Sequence, residues 1–307
     1  MTAAALPPSG AVTVRAPAKI NLHLGVGAAR ADGYHPLSTV YQAVGLYDDV
    51  TVTEAEEWSV ELVRADDDVP LDGENIAIRA GRLLVEHHGL DLAASISIDK
   101  GIPVAGGMAG GSADAAATLV ALDRLWDLRT PDDDMLALAG RLGSDVPFAL
   151  LGGTALGTGR GELVEPVVDR TECWWVVVLS DTGLSTPAVY GHFDTVVPDA
   201  AAEPPLPAAL LAALELGDVP GLGAALDNDL WAPARALRPD LVAIEADLRS
   251  MDPAGLLLSG SGPTLLMLYD NVDAARRALA DVTDLGLRAS IAPGPVAGVH
   301  LVTYGPA

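Results

Sequence analysis

Apolar and polar positions alternate most clearly near the start of the chain. Ile20, Leu22 and Leu24 fall on one face of an extended segment, leaving Lys19, Asn21 and His23 on the other. With Val12-Thr13-Val14 this predicts a strand pair or one interrupted strand. Further strands are predicted at 49–53, 58–63 and Ser95–Ile98. Helical spacing appears from Asn75 to His87, where Ile76, Ala80, Leu83 and Leu84 point inward and Gly89 ends the run. His87-His88 there suits the C-terminal dipole, and adjacent residues share no helix face on which to hold a metal. A second helical stripe carries Ala115, Leu119, Leu122 and Trp126, with Trp126 read as core packing. Thr130 as N-cap, Pro131 at the first helical position and Asp132-Asp133 predict a third helix, lined by Leu136, Ala139 and Leu142 and closed by Gly143.

Ser144-Asp145-Val146-Pro147 follows at once. Proline discourages another helix and holds Val146 extended, so Asp145 is expected on a loop. A hairpin-like region spans the glycines of 152–161, and the apolar run 174–179 is a strand expected to close a first domain, 11–179. The proline-rich stretch 198–207 reads as a connection within a second domain, 180–307. There Leu241, Ile244 and Leu248 mark a helix, followed by strands at 256–258 and 265–269, a helix at 273–284, and strands at 288–291 and 298–304. Without regular βα alternation, the fold class is α+β.

Composition narrows the class. Hydrophobic residues make up 50% of the 307 but aromatics only 4%, so the core is built from Ala, Val and Leu. No apolar run is long enough to predict a membrane span, and Met1–Gly10 lacks a signal peptide's basic start, reading as a flexible tail. The single cysteine, Cys173, abuts an apolar strand and is expected to be a buried structural thiol in a cytoplasmic protein. A formal net charge of −24 argues against nucleic acid or an anionic membrane as partner. It also requires any phosphate site to be local, made of backbone amides, helix dipoles and a few cations.

Such a site is suggested by Pro103–Ala117, where Gly106, Gly107, Gly110 and Gly111 with Ala105 and Ala109 surround Met108 between a strand and a helix. Small residues leave N–H groups uncovered beside the positive end of a helix, which favours an anion. A plain strand-to-helix turn is the alternative. The spacing from Gly106 to Gly111 matches a P-loop, but no lysine precedes Ser112; the dinucleotide fingerprint fits no register. Other candidates are Lys19 beside Asn21, Tyr34 and His35 after the Asp32-Gly33 turn, Asp145, and the small-residue turn Ser259–Thr264. Taken one by one, each has an ordinary structural reading as a solvated strand face or a surface turn.

Their order along the chain resembles the GHMP kinase superfamily. The matching segments are Ala16–Leu24, Arg30–His35, Pro103–Ala116, Gly143–Phe148 and Ser259–Thr264. The nearer likeness is to members acting on a cytidine-diphosphate-linked methylerythritol in isoprenoid precursor synthesis. The resemblance implies an N-terminal domain like ribosomal protein S5 domain 2, a ferredoxin-like C-terminal domain and a site between them. It implies ATP and Mg2+ as cofactors, with the metal ligands unknown, and a small-molecule cytidine diphosphate substrate; a homodimer is left open. By the same resemblance Asp145 is the general base and Lys19 its partner. Tyr34 and His35 bind cytidine with Tyr190 as a second aromatic, and Asn21 and Thr186 line the substrate. Lys100 and the loop Pro103, Val104, Ala105, Gly106, Gly107, Met108, Ala109, Gly110, Gly111, Ser112 and Ala113 bind ATP. The loop departs from the family pattern at Met108, Ala109 and Ala113, losing a second serine hydroxyl. Asp114 stands where asparagine is frequent, to touch magnesium or favour the helix N-terminus. A homoserine or mevalonate-pathway enzyme of this superfamily would keep the loop without needing Gly33-Tyr34-His35, and a non-catalytic nucleotide-binding protein would share the fold.

Overall fold

The computed structural model describes residues 10–64, 69–104, 106–180 and 182–302. The expected tail through residue 9, the acidic run Asp66-Asp67-Asp68, Ala105 and residues 303–304 of the last predicted strand lie outside them. The first half of the chain runs β1 (Val12–Val26), β2 (Leu37–Ala55), β3 (Ser59–Leu62), α1 (Ile76–His88), β4 (Ala93–Asp99), α2 (Gly110–Leu125), α3 (Asp132–Leu142), α4 (Val146–Leu151), β5 (Thr154–Thr158) and β6 (Leu163–Pro166). Then come β7 (Cys173–Leu179), α5 (Thr186–Val196), α6 (Ala208–Leu216), α7 (Val219–Ala225), β8 (Asp227–Asn228), α8 (Trp231–Leu237), α9 (Asp240–Arg249), β9 (Gly255–Leu258), β10 (Leu265–Tyr269), α10 (Val272–Asp284), β11 (Arg288–Gly294) and β12 (His300–Leu301).

Two sheets result. The larger has the path β12-β1-β2-β4-β3, with β5 and β6 continuing from β2 and β8 pairing with β1. The smaller is antiparallel throughout, in the order β11-β7-β10-β9. Strand β7 therefore belongs to the second sheet rather than closing the first. Its alternation shows why: Trp175 and Val177 face the large core shared with α1 to α4, α6 and α7. Val176 and Val178 face a second core beneath α5, α8 and α10. Cys173 is buried, its thiol donating to the Gly294 carbonyl at 3.1 Å, and burial pushes it up to about 12, the state of an inert structural thiol.

Three local expectations change. Strand β2 begins twelve residues earlier than its apolar pattern suggested, because buried polar Thr39, Gln42 and Asp48 break that pattern. Thr130 does not cap α3: its amide and hydroxyl are both spent on the Asp123 carboxylate, and Pro131 takes the cap position. Pro147 starts a helix instead of preventing one, since at the first turn its missing N–H has no intrahelical role. Helices α5 to α8 went unrecognised, and α7 and α8 are only seven residues each. Among the described residues no helix is long and apolar enough to cross a membrane.

The β4–α2 connection is packed tightly against β2. A Cβ on Gly101 would stand 2.4 Å from the Tyr47 carbonyl oxygen, and the Gly101 amide donates to Asp48 at 2.8 Å. Gly101→Ala is expected to lower unfolding free energy by about 1–3 kcal/mol, read from the urea midpoint; an unchanged midpoint would show that this contact can relax freely.

Candidate active site

The site is built on β1. Register shifts at Pro17/Ala18 and between Asn21 and His23 bracket the polar positions of that strand and re-aim them. Lys19 is only 9% exposed, not solvated. Its Nζ donates to Asn21 Oδ1 at 2.9 Å, lies 3.4 Å from Asp145 Oδ2 and sits 5.1 Å from the Tyr41 ring centre. Asn21 in turn donates to Thr39 Oγ1 at 2.8 Å, which donates to the His23 carbonyl at 2.7 Å. Each partner is thus held by the next. Asp145 immediately precedes α4, and its side chain makes no capping bond there, so its carboxylate remains turned to Lys19.

The glycine loop closes on the same place. The Lys19 amide donates to the Met108 carbonyl at 3.2 Å, tying loop to strand, while the Met108 side chain is buried as an anchor. Gly107 has φ +69°, and a Cβ there would meet the Ser259 carbonyl at 2.8 Å. The Ser259 hydroxyl donates to the Gly107 carbonyl at 3.3 Å, so the two small-residue loops touch across the sequence. Ala109, at φ +57°, occupies a left-handed conformation immediately before α2. The first turn of α2 presents Gly111 at the surface and Ser112 half-buried.

A cavity of about 720 Å³ gathers these groups. Lys19, Asn21 and Asp145 line it together with Gly107 and Ala109; Tyr34, His35, Thr186 and Tyr190 form another part of its wall; and Gly260 and Ser261 approach from the second sheet. The Thr186 and Ser261 hydroxyls are 2.8 Å apart. His35 Nε2 is 2.8 Å from Asp194 Oδ1, and its ring lies 5.0 Å from that of Tyr190. Tyr34 is 53% exposed, with the Arg160 guanidinium 4.9 Å from its ring centre. Lys100, by contrast, points beneath the loop into Asp48 and Asp114, and Ala113 is buried in the core. Pro103 and Val104 are half-buried and Gly106 is buried, along the approach to the loop. A cavity of similar size, about 760 Å³, opens between Trp58 and Trp126 at the far end of α2, lined by none of these candidates.

Burial, then the nearby Asp145 carboxylate, push the Tyr41 hydroxyl well above its ordinary range. The same two causes in the same order take Tyr190 up to about 12. Both phenols stay neutral at physiological pH. Tyr41, Arg160 and Asp194 were missed from sequence. Tyr41 could have been found as the alternate neighbour of Thr39 on one strand; Arg160 and Asp194 carried no local signal.

Against known families, residues 75–153 match the GHMP kinases N terminal domain and residues 210–286 the GHMP kinases C terminal domain. A solved structure of a 4-(cytidine 5'-diphospho)-2C-methyl-D-erythritol kinase is 33% identical, with a TM-score of 0.77 over 93% of this chain and 100% of that one. Homoserine kinase from Cytophaga hutchinsonii, 17% identical at TM-score 0.73 over 97% of this chain and 99% of that one, shares the fold. Fold and glycine loop thus define the class as GHMP kinase, an α+β phosphotransferase. A Nocardioides protein named 4-diphosphocytidyl-2-C-methyl-D-erythritol kinase is 60% identical over 95% of this chain and its own full length (100%), and one so named from Mycobacterium tuberculosis is 48% identical over 96% of this chain and 94% of its own. The chain belongs to the 4-diphosphocytidyl-2-C-methyl-D-erythritol kinase family.

Asn21 is the hinge of the polar relay and is 3% exposed. Asn21→Ala is expected to cost about 1–3 kcal/mol of stability, because it strips Lys19 of its shortest partner in a buried setting; chemical denaturation measures it.

Proposed function

We propose that the protein transfers the γ-phosphoryl group of ATP to the 2-hydroxyl of 4-diphosphocytidyl-2-C-methyl-D-erythritol, a step of isoprenoid precursor biosynthesis. The observation that carries this reading is the convergence of Lys19, Asn21 and Asp145 with the glycine loop and the Tyr34–His35–Tyr190 wall on one cavity. Asp145 accepts the proton of the acceptor hydroxyl as its oxygen attacks the γ-phosphorus. The new P–O bond forms as the bond to the bridging β,γ-oxygen breaks, and ADP leaves with that electron pair. Lys19 orients Asp145 and offers positive charge to the transferring group. Loop amides and the start of α2 hold the triphosphate; positioning and charge stabilisation supply most of the catalysis.

Among the described residues no group of three or more His, Cys, Asp or Glu side chains is assembled to hold a metal. A magnesium ion bound with the triphosphate would neutralise phosphate charge.

Specificity follows from the other end of the cavity. Asp194 holds His35 through Nε2, leaving Nδ1 free to meet the edge of a base. Tyr34 and Tyr190 supply aromatic faces for the same ring. A site that hydrogen-bonds its ligand discriminates strongly against analogues lacking those groups.

ADP release should therefore be fast with the cytidine diphosphate acceptor and at least about a hundredfold slower in kcat/KM with methylerythritol phosphate, homoserine or mevalonate; equal turnover of the first two acceptors would remove the cytidine assignment. Asp145→Asn is expected to keep its fold, checked by thermal melting, while kcat falls by about 10²–10⁴ with little change in KM for ATP. Near-native turnover would exclude Asp145 as the base.

A further inference from the structure

The glycine loop rests on a buried ionic floor. Lys100, just past β4, places its Nζ 2.6 Å from Asp48 Oδ2 and 2.8 Å from Asp114 Oδ2. Asp48 is fully satisfied, because its other oxygen accepts the Gly101 and Ile102 amides, each at 2.8 Å. Asp114 is not. Its Oδ1 is buried with no hydrogen-bond partner, and the residue is 3% exposed. The floor lies directly under the first turn of α2, since a Cβ on Gly110 would stand 3.2 Å from Lys100 Nζ and 3.6 Å from Asp48 Oδ2. Among the described residues the charged side chains facing Asp114 are Lys100 from the end of β4 and Asp48 from β2. The Arg64–Asp99 pair lies outside them, with Arg64 Nη2 donating to the Lys100 carbonyl at 2.9 Å.

We propose that Asp114 is a positioning residue whose bound proton keeps this floor neutral, so that the triphosphate in the glycine loop meets a balanced cluster instead of a net negative charge. The inference rests on the loop's role in holding ATP. One ammonium and one carboxylate cancel. A second ionised carboxylate would leave one uncompensated charge, carried partly on an oxygen with no donor, below the helix end that receives the phosphates. Burial raises Asp114 to about 8, with Lys100 opposing that shift and Asp48 adding to it. For Lys100 burial works against the ammonium, but Asp114 and Asp48 together outweigh it and hold the group above its ordinary range. Asparagine at 114 would keep an oxygen for Lys100 and never ionise.

The sign of the pH effect is set by this direction. Between the ordinary aspartate range and pH of about 8, the folded chain keeps a proton that the unfolded chain releases. The stability difference due to Asp114 therefore worsens as pH rises through that window and levels off above it.

The test compares the full chain with Asp114→Asn from pH 7 to 9.5, measuring ATP affinity with magnesium by isothermal titration and melting from pH 4 to 9. Wild-type Kd for ATP is expected to rise about three- to tenfold through pH 8, while the variant stays flat. The variant should melt higher than wild type at pH 8, with the gap closing toward pH 4. Parallel Kd profiles, a flat wild-type profile, no ATP binding, or no melting advantage at pH 8 would each overturn the proposal. Binding is read without an acceptor, so a failure of phosphoryl transfer with normal ATP binding counts against the proposed reaction and not against the floor.

Discussion

A mostly buried ammonium held between an amide and a carboxylate is the interaction around which the cleft is arranged. Asn21 Oδ1 and Asp145 Oδ2 stand 2.9 and 3.4 Å from the Lys19 Nζ, and Tyr41 offers its ring face. Each of those partners depends on a different part of the chain. Asn21 needs Thr39 on β2, Asp145 needs the turn between α3 and α4, and the Lys19 backbone holds the glycine loop through Met108. Loss of any one would loosen a charge that is expensive to leave unpaired.

The two ion clusters of this region solve opposite problems. Around Lys19 the carboxylate is half-exposed and turned to the cavity. Around Lys100 two carboxylates are nearly sealed from water, and the cluster lies beneath the loop. In a chain carrying a net charge of −24, this cluster sets opposite charges side by side beneath the α2 N-terminus. Tyr34 and Arg160 stand at the rim instead, an exposed ring beside a partly exposed guanidinium.

Strongly periodic elements were legible from the chain alone. Helices α1, α2, α9 and α10 and strands β4, β7, β9 and β10 lie close to their expected places, because each carries an apolar stripe or a short unbroken apolar run. Legibility failed where polar side chains are buried in a strand. The early part of β2 hides polar Thr39, Gln42 and Asp48 in the interior, so no alternation marks it. It failed again where one local rule has two outcomes, as at Pro147, which can end one helix or begin the next. Among site residues, Lys100 matched by position yet faces the underside of the loop, since the carboxylates that capture it are 52 and 14 residues away.

By itself the sequence determined the α+β class, the glycine loop ahead of an alanine-rich helix, and the family to which the order of short motifs points. These are matters of spacing and residue type, written locally. Only the tertiary structure decided that Lys19 is buried and not solvated, that Asp145 stands 3.4 Å from it, that Tyr41 and Asp194 join the site, and that Asp114 lies against Lys100. Those facts depend on burial and on contacts between distant segments. Both come from how sheets and helices pack, and no local pattern of residues encodes them.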